Sequence, residues 1–308
     1  MLRIVAVAVN TFREAVRDRV LIGMLGVAIA VLLLTLALAE LSLDQQRRIV
    51  LDIGLASISL SSVVMAVFLG SSLLYKEIER KTLYVILPKP IGRHEFLLGK
   101  YFGIALTVFV FVTIMGAVQL GVTILLVRNQ LTWLAITAIG LPALLVVGML
   151  KSRDRTAVLV PWAVLALGCC ALLGQQAQIE VSRVLFALLL VMGEVMVLSA
   201  VALVFSAFST PFLTALLTMG VWVVGRSADL MINMKSRIIP QEVKDLLGML
   251  VHVWPNFNLF VPGRNALTSY AADASPPAYV ATSLGYACLY STVLLVAAAL
   301  IFRRRDFI

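Results

Sequence analysis

The chain has 308 residues, 61% of them hydrophobic and 13% charged, with a mean hydropathy of +1.03. A soluble domain is about half apolar and about a quarter charged, so this composition excludes one and implies an integral membrane protein. The net charge of +9 would point a soluble chain toward nucleic acid. Here the basic residues sit in short segments beside apolar runs, where they set orientation and meet anionic lipid, and no nucleic-acid partner is expected.

Leu2, Val5, Val9, Phe12 and Val16 recur at helical spacing while Arg3, Arg13, Arg17 and Arg19 supply charge, which predicts an interfacial amphipathic helix over 1–19. Val20 to Ala39 is an apolar run of about twenty residues, enough for a hydrocarbon core of roughly 30 Å. Ala37-Leu38-Ala39 resembles a signal-peptidase site, but the apolar run exceeds a signal-peptide core, so an uncleaved anchor is expected. Ile53 to Tyr75 is the second predicted span. Its Gly54, Ala56, Ser57, Ser59, Ser61, Ser62, Gly70, Ser71 and Ser72 give it a small surface suited to close helix packing, or alternatively to a hydroxyl-lined path.

The segment 76–100 is the largest charged island between two apolar runs. Lys76, Arg80, Lys81, Lys89, Arg93 and Lys100 stand against Glu77, Glu79 and Glu95, a basic excess that faces the cytoplasm. Ile78, Thr82, Val85 and Ile86 recur on one helical face while Glu77, Glu79, Arg80 and Lys81 point away, and Pro88 and Pro90 stop the helix. The succession of glutamate, basic-Thr-Leu, Pro-Lys-Pro, Gly-Arg and Phe-Leu-Leu-Gly-Lys resembles the cytoplasmic loop of ABC-2 type ABC transporter permeases. That resemblance covers Glu77 to Lys100 well and the rest of the chain loosely. It implies a coupling helix that docks a separate ATPase through Glu77, Glu79, Arg80, Lys81 and Thr82. It also likens Asn10 to Arg19 to the elbow helix of the family, with Phe12, Arg13, Glu14 and Arg17 as its marked positions. ATP and magnesium would then belong to the partner ATPase, no cofactor or enzymatic activity to this chain, and a second permease chain would complete the assembly. The implied location is the bacterial inner membrane.

Tyr101 to Val127 is the third predicted span, with Gln119 its one strongly polar interior residue. Trp133 to Leu150 and Ala157 to Gly174 are shorter runs joined by Lys151, Arg153, Asp154 and Arg155, and read as spans four and five. Val184 to Phe208 and Phe212 to Gly225, joined at Ser209-Thr210-Pro211, follow as spans six and seven. Residues 226–278 form the longest polar segment, expected outside, with short interfacial helices. Ala278 to Phe302 is the last span, with Tyr279, Tyr286 and Tyr290 on one face as an aromatic belt and packing seam, and Arg303-Arg304-Arg305 closing it inside. The expected fold is therefore an all-α membrane protein, one permease domain over 1–308, with an elbow helix and about eight spans. The count is six, the common family pattern, if the Trp133 to Gly174 hairpin does not cross. Of the 25 Lys and Arg residues, 16 fall inside and 9 outside on this topology, which favours cytoplasmic termini.

Catalytic motifs are mostly absent. Gly92 to Lys100 lacks P-loop spacing and has Tyr101 where Ser or Thr must reach magnesium, and no His-Glu-x-x-His occurs. Cys169, Cys170 and Cys288 lie in apolar runs without disulfide or zinc spacing and read as packing residues. Glu194 is the one acid in the middle of an apolar run, where a charge must be paired, neutral or wet, so it is a candidate functional residue. The alternatives are a proton or ion carrier in a secondary transporter, or a neutral helix linker bonded to another span, with Gln119 as the suggested partner. A non-transporting membrane scaffold is a further reading.

Overall fold

The structure is a computed structural model that describes residues 2–17, 19–41, 46–79, 92–126, 131–152, 154, 156–233, 254–261 and 276–304; for 2, 73–79, 93, 131, 228–233 and 302–304 it describes the backbone alone. The described residues form nine α-helices and no strand. In chain order they are α1 (Leu2–Arg17), α2 (Val20–Glu40), α3 (Gln46–Glu79), α4 (Arg93–Leu125), α5 (Leu131–Lys151), α6 (Leu159–Gln176), α7 (Val181–Ser206), α8 (Pro211–Asn233) and α9 (Pro276–Arg304). Seven of them, α2 to α7 and α9, are long and apolar enough to cross a membrane, and the chain is a multi-pass helical membrane protein.

The connections explain the helix ends. Arg19 takes a left-handed conformation, φ 58, between α1 and α2, and Gln178, φ 53, does the same between α6 and α7. A single left-handed residue reverses the chain without a longer loop. Pro211 opens α8 where its missing N–H is not needed, after the turn at Ser209 and Thr210 that the sequence predicts.

α4, α7 and α3 are the most buried spans, and α7 is the pillar between α3 on one side and α9 on the other. Hydrophobic transfer does not join helices within lipid, so close approach does most of that work. Gly70 of α3 lies against Ala202 of α7, and Gly116 of α4 against Leu188, each leaving no room for a Cβ. Three of the six serine hydroxyls of α3 are spent at home. Ser57, Ser62 and Ser71 donate to the carbonyls of Ile53, Ile58 and Phe68, the back-bonding open to any helical serine. That supports helix packing over a hydroxyl-lined path, with Ser59 the exception taken up below.

Several predicted boundaries move. α3 begins at Gln46 rather than Ile53 and α4 at Arg93 rather than Tyr101, so each runs beyond its apolar stretch. At 1.5 Å per residue each is roughly 50 Å long, well over a hydrocarbon core of about 30 Å. Glu77 and Glu79, expected in a separate surface helix, are the last turn of α3, while Arg80, Lys81 and Thr82 lie outside the described residues. The reason is local: no Gly or Pro interrupts the chain between Gly70 and Pro88. The question of six or eight spans also shifts. Both helices of the α5–α6 hairpin are long and apolar enough to cross, whereas the apolar part of α8 is the short one, Pro211–Ser227. The hairpin sits at the edge of the bundle, tied together by Trp162 Nε1 donating to the Leu141 carbonyl at 2.7 Å.

Charged contacts mark the two ends of the bundle. At one end Arg3 approaches Glu95 at 3.8 Å, Lys100 meets Glu14 at 3.5 Å, and Arg13 meets Asp154 at 3.0 Å, gathering α1, the start of α4 and the α5–α6 connection. At the other end Arg183, in the first turn of α7, meets Asp52, near the start of α3, at 3.1 Å.

Candidate functional site

Glu194 stands halfway along α7 with no exposed surface. Its Oε2 accepts a 2.8 Å bond from Ser59 Oγ of α3; its Oε1 accepts from Trp222 Nε1 at 2.8 Å and from Arg226 Nη1 at 2.7 Å, both on α8. Trp222 and Arg226 are one helical turn apart, so one face of α8 presents both donors, and the guanidinium carbon lies 5.7 Å from the Trp222 ring centroid. Three helices thus converge on one carboxylate. A charge-assisted bond to Arg neutralises it where lipid and protein offer no water.

This corrects the sequence reading in two places. Arg226 is not the first residue of an outer loop: α8 continues to Asn233 and turns Arg226 inward. Gln119 is not the partner of Glu194. Its Nε2 donates to the Val50 carbonyl at 2.9 Å, and its side chain fills the space left by Gly54. Val50 and Ser59 are nine residues apart on α3, so the two polar sites differ in depth by roughly 13 Å.

Beside the carboxylate lies part of the segment expected outside with short interfacial helices. Residues 254–261 enter the bundle between α7, α8 and α9 as a short stretch with a 3-10 turn, Phe257–Phe260. Trp254 Nε1 donates to the Val221 carbonyl at 3.0 Å, the Tyr286 hydroxyl accepts from Asn256 N–H at 3.1 Å, and the Tyr279 hydroxyl donates to the Leu259 carbonyl at 2.7 Å. Phe257 and Phe260 are wholly buried, Phe260 against Gly193 and Phe257 against Gly225, the neighbours of Glu194 and Arg226. Even alanine at Gly225 would collide with the Pro255 carbonyl. Gly193 is twelve residues into α7, so this non-helical backbone reaches roughly 18 Å along it. Such backbone survives at membrane depth only when buried in protein or lining a water-filled cavity, and the tyrosines of α9 provide the former. The predicted packing seam of Tyr279 and Tyr286 is therefore also a set of clamps on this segment.

The positions marked on α1 form a second constellation, at the basic end. Phe12 is buried against Val110, Ile114 and Leu159; Arg13 and Glu14 make the ion pairs already described; Arg17 is exposed. α1 lies against α4 at Gly99 and Gly103, where a Cβ would strike Val7 and Thr11. Gly99-Lys100-Tyr101-Phe102-Gly103 is a small-xxx-small spacing, which lets helix backbones approach closely. That signal stood in the sequence unread, as did the aromatic triplet Trp254, Phe257 and Phe260 inside a polar segment. The site offers Glu194 as an acceptor and Arg226 as its cation, and among the described residues no cluster of three His, Cys, Asp or Glu side chains could hold a metal. No protein-family model matches the chain, and no curated protein matches it.

Proposed function

We propose that the chain is the membrane-spanning permease subunit of an ABC transporter of the ABC-2 type. It works with a separate ATPase subunit and a second permease chain to export a substrate or move a membrane-embedded partner. The observation that carries this reading is the family-like stretch Glu77 to Lys100, set between two helices that overrun the hydrocarbon core. Force delivered at Glu77 to Glu79 acts on the last turn of α3 and force delivered at Arg93 to Lys100 on the start of α4, and α1, the elbow helix of the proposal, follows through its contacts with α4. The core carboxylate joins α3, α7 and α8, so motion of α3 bears on the Glu194–Arg226 pair. ATP and magnesium belong to the ATPase, and this chain hydrolyses nothing itself.

The proposed topology has eight spans, α8 being the short one, with both termini on the cytoplasmic side of a bacterial inner membrane. It is supported by the 16 basic residues assigned inside, and by the gathering of three basic segments at one end of the bundle. Cysteines introduced singly at Ser152 and Gln130 of a cysteine-free chain should label from opposite sides; labelling from one side rules out a spanning α5–α6 hairpin.

The docking reading is tested by Glu79→Arg combined with Lys81→Glu, which keeps net charge, and so orientation, while juxtaposing like charges on a complementary groove, at a cost of several kcal/mol. The variant should insert normally yet lose the partner ATPase on co-purification, or keep it without substrate-stimulated hydrolysis in nanodiscs. Normal binding and coupling in the variant would falsify the assignment. A secondary transporter is the second reading, favoured by the fully buried Glu194. It predicts pH-gradient-driven transport by the purified chain in liposomes without any ATPase, abolished in Glu194→Gln.

A further inference from the structure

The pair with Glu194 uses only part of the Arg226 guanidinium. Arginine carries five N–H donors in a planar fork suited to a two-oxygen grip on a carboxylate. Here the grip is single: Nη1 donates to Glu194 Oε1 at 2.7 Å, while Oε2, the second oxygen, accepts from Ser59 Oγ at 2.8 Å. The rest of the fork is not sealed in protein, since the Arg226 side chain is 25% exposed. Its depth is that of Glu194, roughly 20 Å along α7 from Val181. A guanidinium open to hydrocarbon at that depth is strongly unfavourable, so its open side faces water or an oxyanion. The Trp222 ring, 5.7 Å from the guanidinium carbon, orients the fork. Further half-buried polar side chains stand nearby in the chain: Ser227 follows Arg226, and Asn256 follows Pro255, whose carbonyl lies against Gly225.

We infer that the open side of Arg226 binds the oxyanion of an amphipathic ligand, a carboxylate or phosphate on an apolar body, and that Glu194 is the resident anion with which the ligand competes. The apolar body suits the same face of α8, where Val223, one turn before Arg226, is 49% exposed. The charge count sets the exchange. Carboxylate and guanidinium sum to zero, and a second anion beside them would leave a net negative charge at membrane depth. When the anion arrives with one proton, Glu194 takes the proton on a carboxylate oxygen, Arg226 turns its hydrogen bond to the ligand, and the site is neutral again.

The other charged groups on the elements packed here stand apart. Asp52 and Arg183, paired with each other, lie roughly 10 Å and 16 Å away along α3 and α7. The charges of α4 are gathered at the basic end, α9 carries none before Arg303, and 254–261 has no titratable side chain. α9 presents Tyr279, Tyr286, Cys288 and Tyr290, and Asp229 follows Arg226 by one turn on α8. The inference concerns binding to this chain alone and needs no ATPase, so its failure leaves the transporter reading standing.

Binding of labelled dodecanesulfonate, an anion at every working pH, to the full chain in phosphatidylcholine nanodiscs tests it. Binding should be saturable at one per chain and strengthen by up to about tenfold for each unit that pH is lowered, the slope for uptake of one proton. Dodecyl phosphate should displace it and dodecanol should not; equal displacement by inorganic phosphate overturns the amphipathic ligand in favour of a free anion. Glu194→Gln, which cannot ionise, should bind about tenfold more tightly or better, with no pH dependence. Glu194→Gln combined with Arg226→Met, which leaves neither charge stranded, should bind no more than empty nanodiscs. Equal binding by these two variants, or Glu194→Gln binding no better than the parent, overturns the inference. Should a variant fail to fold, the parent decides: binding without proton uptake from weakly buffered solution overturns the exchange.

Discussion

Among the described residues two ion pairs have a sealed member, and they are mirror images. In one the acid is sealed and the base partly open: Glu194 has 0% side-chain exposure and Arg226 25%. In the other the base is sealed, Lys100 at 1%, and Glu14 is 29% exposed. The first lies halfway along α7 and is held by hydrogen bonds of 2.7 to 2.8 Å from three side chains. The second lies near the basic end, with 3.5 Å between nitrogen and oxygen and the ammonium 5.8 Å from the Phe96 ring centroid. Removing one member of a buried pair costs chiefly what it takes to leave the other unpaired. The comparison therefore teaches which member to remove: damage should follow the burial of the survivor, not the identity of the residue lost.

Arg226→Met is the strongest test, because it strands Glu194 with only Ser59 and Trp222 as donors. Breaking a buried pair this way costs about 3–5 kcal/mol, read as a lowered unfolding midpoint in detergent–SDS titration. Glu194→Gln strands a partly exposed guanidinium and keeps hydrogen-bonding capacity, so its loss should be at most half as large. Combining the two should recover much of the Arg226→Met deficit. If Glu194→Gln proves the more damaging single change, the survivor rule fails at this site.

The same rule inverts at the basic end. Glu14→Gln takes the Glu14 carboxylate from the buried Lys100 ammonium and should cost about 1–3 kcal/mol, the order of one contact to a buried charged group. Lys100→Met removes the sealed charge and leaves a carboxylate that reaches water, and replacing a buried charge by an apolar group of similar size is often neutral. Its unfolding midpoint should stay close to that of the parent. A Lys100→Met variant less stable than Glu14→Gln would show that Lys100 serves α1 docking by something other than this pair.

Glu194 was legible because an acid inside an apolar run has no innocent solution. Its partners were not. Hydropathy falls off after Gly225, where Arg226, Ser227 and Asp229 occur, and a falling window reads as a span ending; the backbone, lacking Gly or Pro until Pro240, continues as helix to Asn233. Gln119 was paired with Glu194 because both were polar and interior, but depth depends on where each helix begins, and α4 begins eight residues before its apolar stretch. The same extension hid the environment of Lys100, which reads as the edge of a solvated loop and is instead covered by α1. Apolar periodicity reports which faces meet lipid or protein. It carries no information on how far a charged helix continues beyond the membrane, nor on a short non-helical stretch such as 254–261 whose aromatic side chains turn inward.

The finest contrast lies within α3, between serines of like burial and different partners. Ser59 and Ser62 are both sealed, at 1% and 0% exposure. Ser62 donates to the Ile58 carbonyl of its own helix at 2.7 Å, while Ser59 reaches across to Glu194 at 2.8 Å. A back-bonded hydroxyl adds little to assembly, because the same bond forms in the helix before it packs. An interhelical bond exists only in the assembled bundle, and such bonds average about 0.6 kcal/mol in membrane proteins, with a maximum near 1.7. Ser62→Ala should therefore leave the unfolding midpoint unchanged, and Ser59→Ala should lower stability by about 1 kcal/mol, toward the upper part of that range because its acceptor is the carboxyl group that Arg226 also holds. The difference should vanish when both changes are made on a Glu194→Leu background, where no carboxylate remains to accept. If Ser59→Ala is as silent as Ser62→Ala in the parent chain, Arg226 and Trp222 alone hold the carboxylate, and α3 is tied to it by packing rather than by a hydrogen bond.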